Sequence, residues 1–375
     1  MSTAEVTRRL VLATAATALL AAMLFYVGRA PTVEDTLPAR LGDSEFWRMI
    51  TDFSEAGGYF RSDNFLSNEV GYQRVVPALR KSVRTGGVYI GVGPEQNFTY
   101  IVALEPKMAF IVDIRRQNML EHLLYKALIE TSPDRAEFLS RLFSRPRPPG
   151  LGLSSGPDVL VRAYEPVPPS DSLFDANVNR VLDFLEKAKG FGLSAADKAG
   201  IRYVYKAFYD DGPDLRYTFL GGYGGYMGMP SYGELMKETD GHTHNWNFLA
   251  DEDQYRVVQR MQRNNLIVPL VGDFAGPRAI RSVGDYLRHH NAVVTVFYTS
   301  NVEQYLFQDD ENWKNFYANV ATLPVDDSST FIRYVLNSWA FNRRSRTLLS
   351  PIADVVRAYD RGRIRSYWEV VDMSR

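Results

Sequence analysis

Val88-Tyr89-Ile90-Gly91-Val92-Gly93-Pro94-Glu95-Gln96-Asn97 is followed, at residues 108–113, by Met-Ala-Phe-Ile-Val-Asp. These two stretches decide the fold. Residues 88–90 are a short β-rich run that ends in a turn at Gly91 and Gly93. Pro94 suits the first helical position, where a missing N–H costs nothing. Pro106 stops the helix-compatible segment 94–104. Residues 108–112 are apolar without interruption, as in a strand buried on both faces. Asp113 ends that run twenty positions after Gly93. The order is strand, glycine turn, helix, strand.

Each part has a chemical use. Glycines allow a sharp turn and a close ligand approach where a Cβ would clash. A helix start presents unpaired N–H groups. An acid at the tip of the next strand accepts hydrogen bonds from ribose hydroxyls. The candidate cofactor-binding residues here are Gly91, Gly93, Glu95, Gln96 and Asp113. The pattern suits a nucleoside-containing small molecule. It suits a dinucleotide less, because Gln96 stands where the third glycine of G-x-G-x-x-G would be. Asp113 also reads as a cap for an amphipathic helix over 118–130, and both readings stay open.

The pattern recurs downstream. Residues 266–271 are apolar and end in Gly272-Asp273. Pro277 opens a helix to residue 289, and 292–298 is a further buried strand ending in Thr299-Ser300-Asn301. Two such units predict an α/β fold: a Rossmann-like open, mostly parallel sheet with helices on both faces. Ligands sit beyond the carboxyl ends of such strands. This adds Asp273 and Asn301 to the candidates, with Asp273 also readable as a turn residue.

The remaining segments are arranged around this core. Residues 43–53 have helical spacing. Residues 54–69 form a polar loop that reads either as a ligand-site wall or as the cap of a helix over 70–83, whose middle Pro77 weakens. An insertion at about 145–260 begins irregularly, then shows helices at 177–189, 194–209 and 251–264. Within it, the glycine-rich stretch 221–230 suits a lid or an exposed loop. The pair His242 and His244, near Asp240, lacks a third strong ligand at a familiar spacing, so no metal is expected. Asp240 reads as ligand-contacting or capping. Residues 313–334 mix helix and loop, 347–357 suggests a helix, and 364–371 alternates like a final or edge strand.

The stretches 57–64 (Gly-Gly-Tyr-Phe-Arg-Ser-Asp-Asn), 88–97, Asp113-Ile114-Arg115-Arg116 and 265–277 resemble a family of bacterial proteins of unassigned function. That family is similar in its core to class I S-adenosylmethionine-dependent methyltransferases, and the resemblance covers most of 45–335. It implies S-adenosylmethionine as cofactor. Gly91 and Gly93 match the glycine turn after the first strand, and Asp113 matches the ribose-binding acid after the second. Tyr89 and Ile90 stand where the acid before the turn usually lies, and the Asn/Asp-Pro-Pro-Tyr signature of amino-group methyltransferases is absent. The implied function is an S-adenosylmethionine-binding, methyltransferase-like protein whose acceptor and catalytic residues are unnamed. The alternative is a non-catalytic, membrane-anchored envelope protein that uses the fold to bind a ligand or partner.

Composition bounds these readings. A net charge of −1 gives no indication of nucleic acid, and the absence of cysteine excludes disulfides and thiolate catalysis. Residues 10–27 are uncharged and follow Arg8 and Arg9. This run is at the short end of the ~17–25 residues of a membrane span and longer than a signal core of about 7–15. Residues 1–31 are read as a signal-anchor or signal peptide, 32–44 as a linker and 45–375 as the α/β domain. The arginines put the N-terminus in the cytoplasm. The expected location is the bacterial inner membrane, with one N-terminal anchor and a periplasmic body, or export after cleavage. An outside location favours the non-catalytic reading, because the sulfonium donor is cytoplasmic.

Overall fold

The computed structural model describes residues 34–217, 229–335 and 345–374. The chain separates into two units, Met1–Thr36 and Leu37–Arg375; the architecture below is that of the second. The expected hydrophobic helix over 10–27 and the glycine-rich stretch 221–228 lie outside the described residues. No described helix is long and apolar enough to cross a membrane.

Six strands form one sheet: β1 (Val88–Gly91), β2 (Met108–Asp113), β3 (Ile267–Val271), β4 (Val294–Ser300), β5 (Thr330–Val335) and β6 (Arg346–Pro351). Their order is β3-β2-β1-β4-β5-β6. All pairs are parallel except β5 with β6. Every residue of β1, β2, β3 and β5 is buried. Side chains alternate between faces along a strand, so full burial means that both faces of the sheet are covered. This is the mixed α/β, mostly parallel sheet expected from the apolar runs.

The helices that matter for the site are α1 (Asp43–Phe53), α2 (Val76–Ser82), α3 (Gln96–Leu104) and α4 (Arg116–Thr131). After them come α5 (Ala279–His289), α6 (Val302–Leu306) and α7 (Asp310–Val320). Pro77 does not weaken a long helix. It sits in the first turn of α2, after a 3-10 turn at Tyr72–Val75. The link from β2 to β3 is helical, and strand pairing in it is confined, among the described residues, to a bridge between Arg216 and Ser231. The irregular stretch 145–169 contains a helix, Pro157–Tyr164.

The C-terminal expectations need correction. The edge strand is β6, not 364–371. Residues 347–357 split at Pro351 into the end of β6 and a helix, Ile352–Asp360. The alternating stretch near 364–371 instead holds the helix Tyr367–Asp372, started by the Ser366 N–H donating to Glu369 Oε2 at 3.0 Å. That reciprocal start signal outweighs the weak alternation. β5 was hidden in the mixed segment 313–334, because Arg333 falls in its middle.

Arg333 is completely buried and Glu303 nearly so. Arg333 Nε and Nη2 both donate to the Glu303 carboxylate, Nη2 at 3.1 Å, and Tyr317 Oη donates to Glu303 Oε1 at 2.6 Å. This buried pair fixes α6, and so the residues of α6 that face the site, against β5 and α7.

Candidate functional site at the carboxyl ends of the strands

β1, β2 and β3 run to one side and β4 and β5 to the other, so the order reverses between β1 and β4. Ligands of open α/β sheets bind outside the carboxyl ends at such a point. A cavity of about 270 Å³ lies there. That is at the low end of the ~300–1,000 Å³ of small-molecule sites, a size for one nucleoside rather than a dinucleotide.

The loop 54–69 crosses this edge of the sheet. Ser54 Oγ accepts from the Val271 N–H at 2.9 Å, at the end of β3. The Gly58 N–H donates to Ile114 O at 2.7 Å, just past β2. Glu69 reaches the end of β4. Of the two readings of this loop, its residues Phe60, Asn64, Ser67 and Glu69 do line the cavity. Glu55 caps the start of α5, accepting from the Arg278 and Ala279 N–H groups, each at 2.9 Å.

The structure brings Gly93, Gln96, Asp113, Asp273 and Asn301 together around the cavity. Gly93 has φ +82°, a conformation that favours glycine. Its carbonyl lies 2.9 Å from His122 Nε2, so that nitrogen carries the proton. Burial pushes the His122 imidazole down to about 4, which keeps it neutral. Asp273 also has its turn role, since its Oδ1 accepts from the Ala275 N–H at 2.9 Å. Asn301 precedes α6 without capping it through its side chain.

Gly91 and Glu95 stand behind the wall rather than in it. A Cβ on Gly91 would lie 2.0 Å from Asn97 Oδ1. Asn97 shapes the turn: it accepts from Tyr89 Oη at 2.8 Å, and its Nδ2 donates to the carbonyls of Val92, Gly93 and Pro94 at 2.7–3.2 Å. Gly91→Ala is therefore expected to destabilise the protein by about 1–3 kcal/mol through overpacking. Chemical denaturation checks this, and an unchanged midpoint would refute the assignment. Glu95 is buried, and one of its oxygens has no hydrogen-bond partner.

Asp113 lines the cavity and is held there by Arg115. Arg115 is 6% exposed. Its Nε and Nη2 donate to Asp113 Oδ1 and Oδ2, both at 3.1 Å. Its Nη1 donates to Ser62 O at 3.1 Å and to Asp63 O. With the Asn64 amide turned so that its nitrogen donates to Leu66 O at 3.2 Å, its oxygen accepts from Arg115 Nη2, also at 3.2 Å, an orientation that satisfies both ends of the amide. All five guanidinium N–H groups are thus engaged. Arg115 staples the loop to β2 and has no donor left for an anion.

On the opposite wall, Glu69 Oε1 accepts from Tyr298 Oη at 2.6 Å and from Ser300 Oγ. Gln96 Nε2 donates to Tyr298 Oη at 2.8 Å. Ser300 and Asn64 both line the cavity with positive φ, +52° each. Such conformations cost about 1–3 kcal/mol and gather at functional sites. Burial, joined by the neighbouring Glu238, pushes the Glu69 carboxyl up to about 7, against the opposing hydrogen bonds from Ser300 and Tyr298. Phe60 and Tyr305 pack edge to face at 5.3 Å at the rim.

Sequence reasoning placed Glu69 only within a loop that could wall the site, without singling it out, and missed Tyr298 and Ser300. The usable signal was the polarity of the loop just before the first strand. Asp240 lies outside the cavity lining: its Oδ1 accepts from the His242 N–H at 3.0 Å and its Oδ2 from Trp246 Nε1 at 3.4 Å. Among the described residues no group of three His, Asp or Glu is placed to hold a metal ion.

A family described as a domain of unknown function (DUF7790) matches residues 64–147 and 172–349, more than half of the chain. No curated protein matches the sequence.

Proposed function

We propose that this chain, which belongs to the DUF7790 family, binds a nucleoside-containing cation of the S-adenosylmethionine kind and is methyltransferase-like in its chemistry. The observation that carries this reading is the charge of the cavity lining. Glu69, Asp113 and Asp273 face it, and Arg115, whose donors are all engaged, is its one cation among the described residues. Phosphate would meet carboxylates there without a free positive partner, which disfavours nucleotides and dinucleotides. A sulfonium meets attraction.

The residues fit such a group in two further respects. Glu69 Oε2 and Gln96 Oε1 are buried acceptors without partners, and the turn at Gly93 lets a ligand approach the backbone. A bound sulfonium would supply an electrophilic methyl group; this chain's part is to orient it and to exclude water.

A second reading is favoured by one observation. Asp113 is already clamped by Arg115, where a ribose-binding acid needs its oxygens for hydroxyls. On that reading the fold serves ligand or partner binding without transfer, in a body held at the bacterial inner membrane by residues 10–27 or exported from it.

Calorimetric titration of the full chain with S-adenosylmethionine and with NAD⁺ tests the main reading. Micromolar binding of the sulfonium and at least tenfold weaker binding of the dinucleotide (about 1.4 kcal/mol) are expected. Equal or tighter binding of NAD⁺ would overturn it. Binding without label transfer from the methyl-labelled donor to an envelope extract would favour the second reading.

A further inference from the structure

We propose that the floor of the cavity is a receptor for a primary ammonium group, held between Glu69 Oε2 and Gln96 Oε1, so that the ligand of this protein bears an amine. The inference rests on the reading that the switch-point cavity is a ligand site. It does not depend on the ligand being a nucleoside.

The hydrogen-bond polarity of the floor carries the argument. Glu69 is 1% exposed and Gln96 5%. Tyr298 joins them, donating its single proton to Glu69 Oε1 and accepting from Gln96 Nε2. Glu69 Oε1 also accepts from Ser300. Once Glu69 is ionised, what remains on both residues is an acceptor: Glu69 Oε2 and Gln96 Oε1 are buried without a partner, and both residues line the cavity. A buried unsatisfied acceptor is costly, and more so for a carboxylate. A carboxylate or phosphate ligand has no donor to offer, and a hydroxyl has one. An ammonium has three, with the charge that a buried carboxylate requires.

Among the described residues no basic side chain acts on Glu69. The titratable groups that act on Glu69, or on which it acts, are Tyr89, Tyr100, Tyr298, Tyr334 and Glu238. None is cationic. With the carboxyl raised to about 7 by burial, an arriving ammonium displaces a proton from Glu69 below that pH. Binding there releases protons, and a purely structural Glu69 would give no such release.

The probes are phenethylamine and 2-phenylethanol, which share an aromatic arm and differ in the amine. They are titrated into the full chain by calorimetry at pH 6 in buffers of different ionisation heat. The amine is expected to bind at least tenfold tighter than the alcohol, with proton release visible as a buffer-dependent heat. Glu69→Gln is expected to remove both the preference and the proton release. The wild-type proton release stands as evidence even where that variant folds poorly. No binding of the amine, equal binding of the alcohol, or a preference retained in Glu69→Gln overturns the proposal. Amine preference together with no binding of S-adenosylhomocysteine upholds it and removes the nucleoside reading alone.

Discussion

Asp113→Ala is expected to lower the stability of the protein by about 3–5 kcal/mol, the usual cost of leaving a buried charge unpaired. The Arg115 guanidinium would keep its bonds to the loop carbonyls at Ser62 and Asp63 and lose both of its bonds to the carboxylate, and the Arg115 backbone N–H would lose a third. The loop 62–64, whose Asn64 lines the cavity, would lose its anchor to β2. The double variant Asp113→Ala, Arg115→Met should recover part of the loss, since it removes the stranded charge. Urea midpoints of the three proteins measure this. A wild-type midpoint for Asp113→Ala would show that the pair does not hold the loop. The consequence for function is direct: loss of ligand binding in Asp113→Ala would report the collapse of the loop as readily as a lost ribose contact.

Stability is also expected to fall as pH rises from about 6 to 8, by a few kcal/mol. The cause is a set of buried carboxyls that fold in the neutral form. Burial pushes Glu95 up to about 8; burial pushes Glu238 up to about 7 against the Gly71 N–H and Arg74, and burial, joined by Glu238, pushes Glu69 up to about 7. Glu121 is raised by burial and then by Glu95. Between the ordinary carboxyl value of 4.5 and these raised values, the folded state holds more protons than the unfolded one. Stability therefore drops with rising pH, by about 1.4 kcal/mol per unit per group. His122 opposes this between about 4 and 6.5, where the unfolded state binds the extra proton. Lys126, lowered to about 8 by burial, opposes it only above that pH. The net slope is therefore steepest between about 6.5 and 7, where His122 has stopped opposing it and Glu69 and Glu238 still hold their protons, and it continues less steeply to about 8 through Glu95 and Glu121. Glu95→Gln keeps the shape of the side chain and removes one titrating group, so its profile should be flatter over that range. Identical urea midpoints against pH for wild type and variant would contradict the assignment of Glu95 as a buried neutral acid.

The parts of the fold legible in the sequence are those where burial is continuous. β1, β2, β3 and β4 announce themselves as apolar runs because both faces of the sheet are covered. β5 does not, because Arg333 interrupts it, and the charge is cancelled by Glu303, thirty positions away and on another element. β6 is a wet edge with no apolar run to read. The site divides the same way. Gly93, Gln96, Asp113, Asp273 and Asn301 are legible because strand ends and turns are local features. Glu69 is not, since what makes it a site residue is its approach to Tyr298 and Ser300, more than two hundred positions away. Arg115 was visible as a neighbour of Asp113, but only the folded loop shows that its donors are all taken.

The central claim is that the cavity at the β1/β4 switch point is where this protein meets its ligand. Hydrogen exchange of the full chain with and without S-adenosylhomocysteine tests it most directly. The account predicts protection concentrated in residues 67–69, 92–96 and 300–302. Unchanged exchange in all three segments, or protection confined to other parts of the chain, would contradict it.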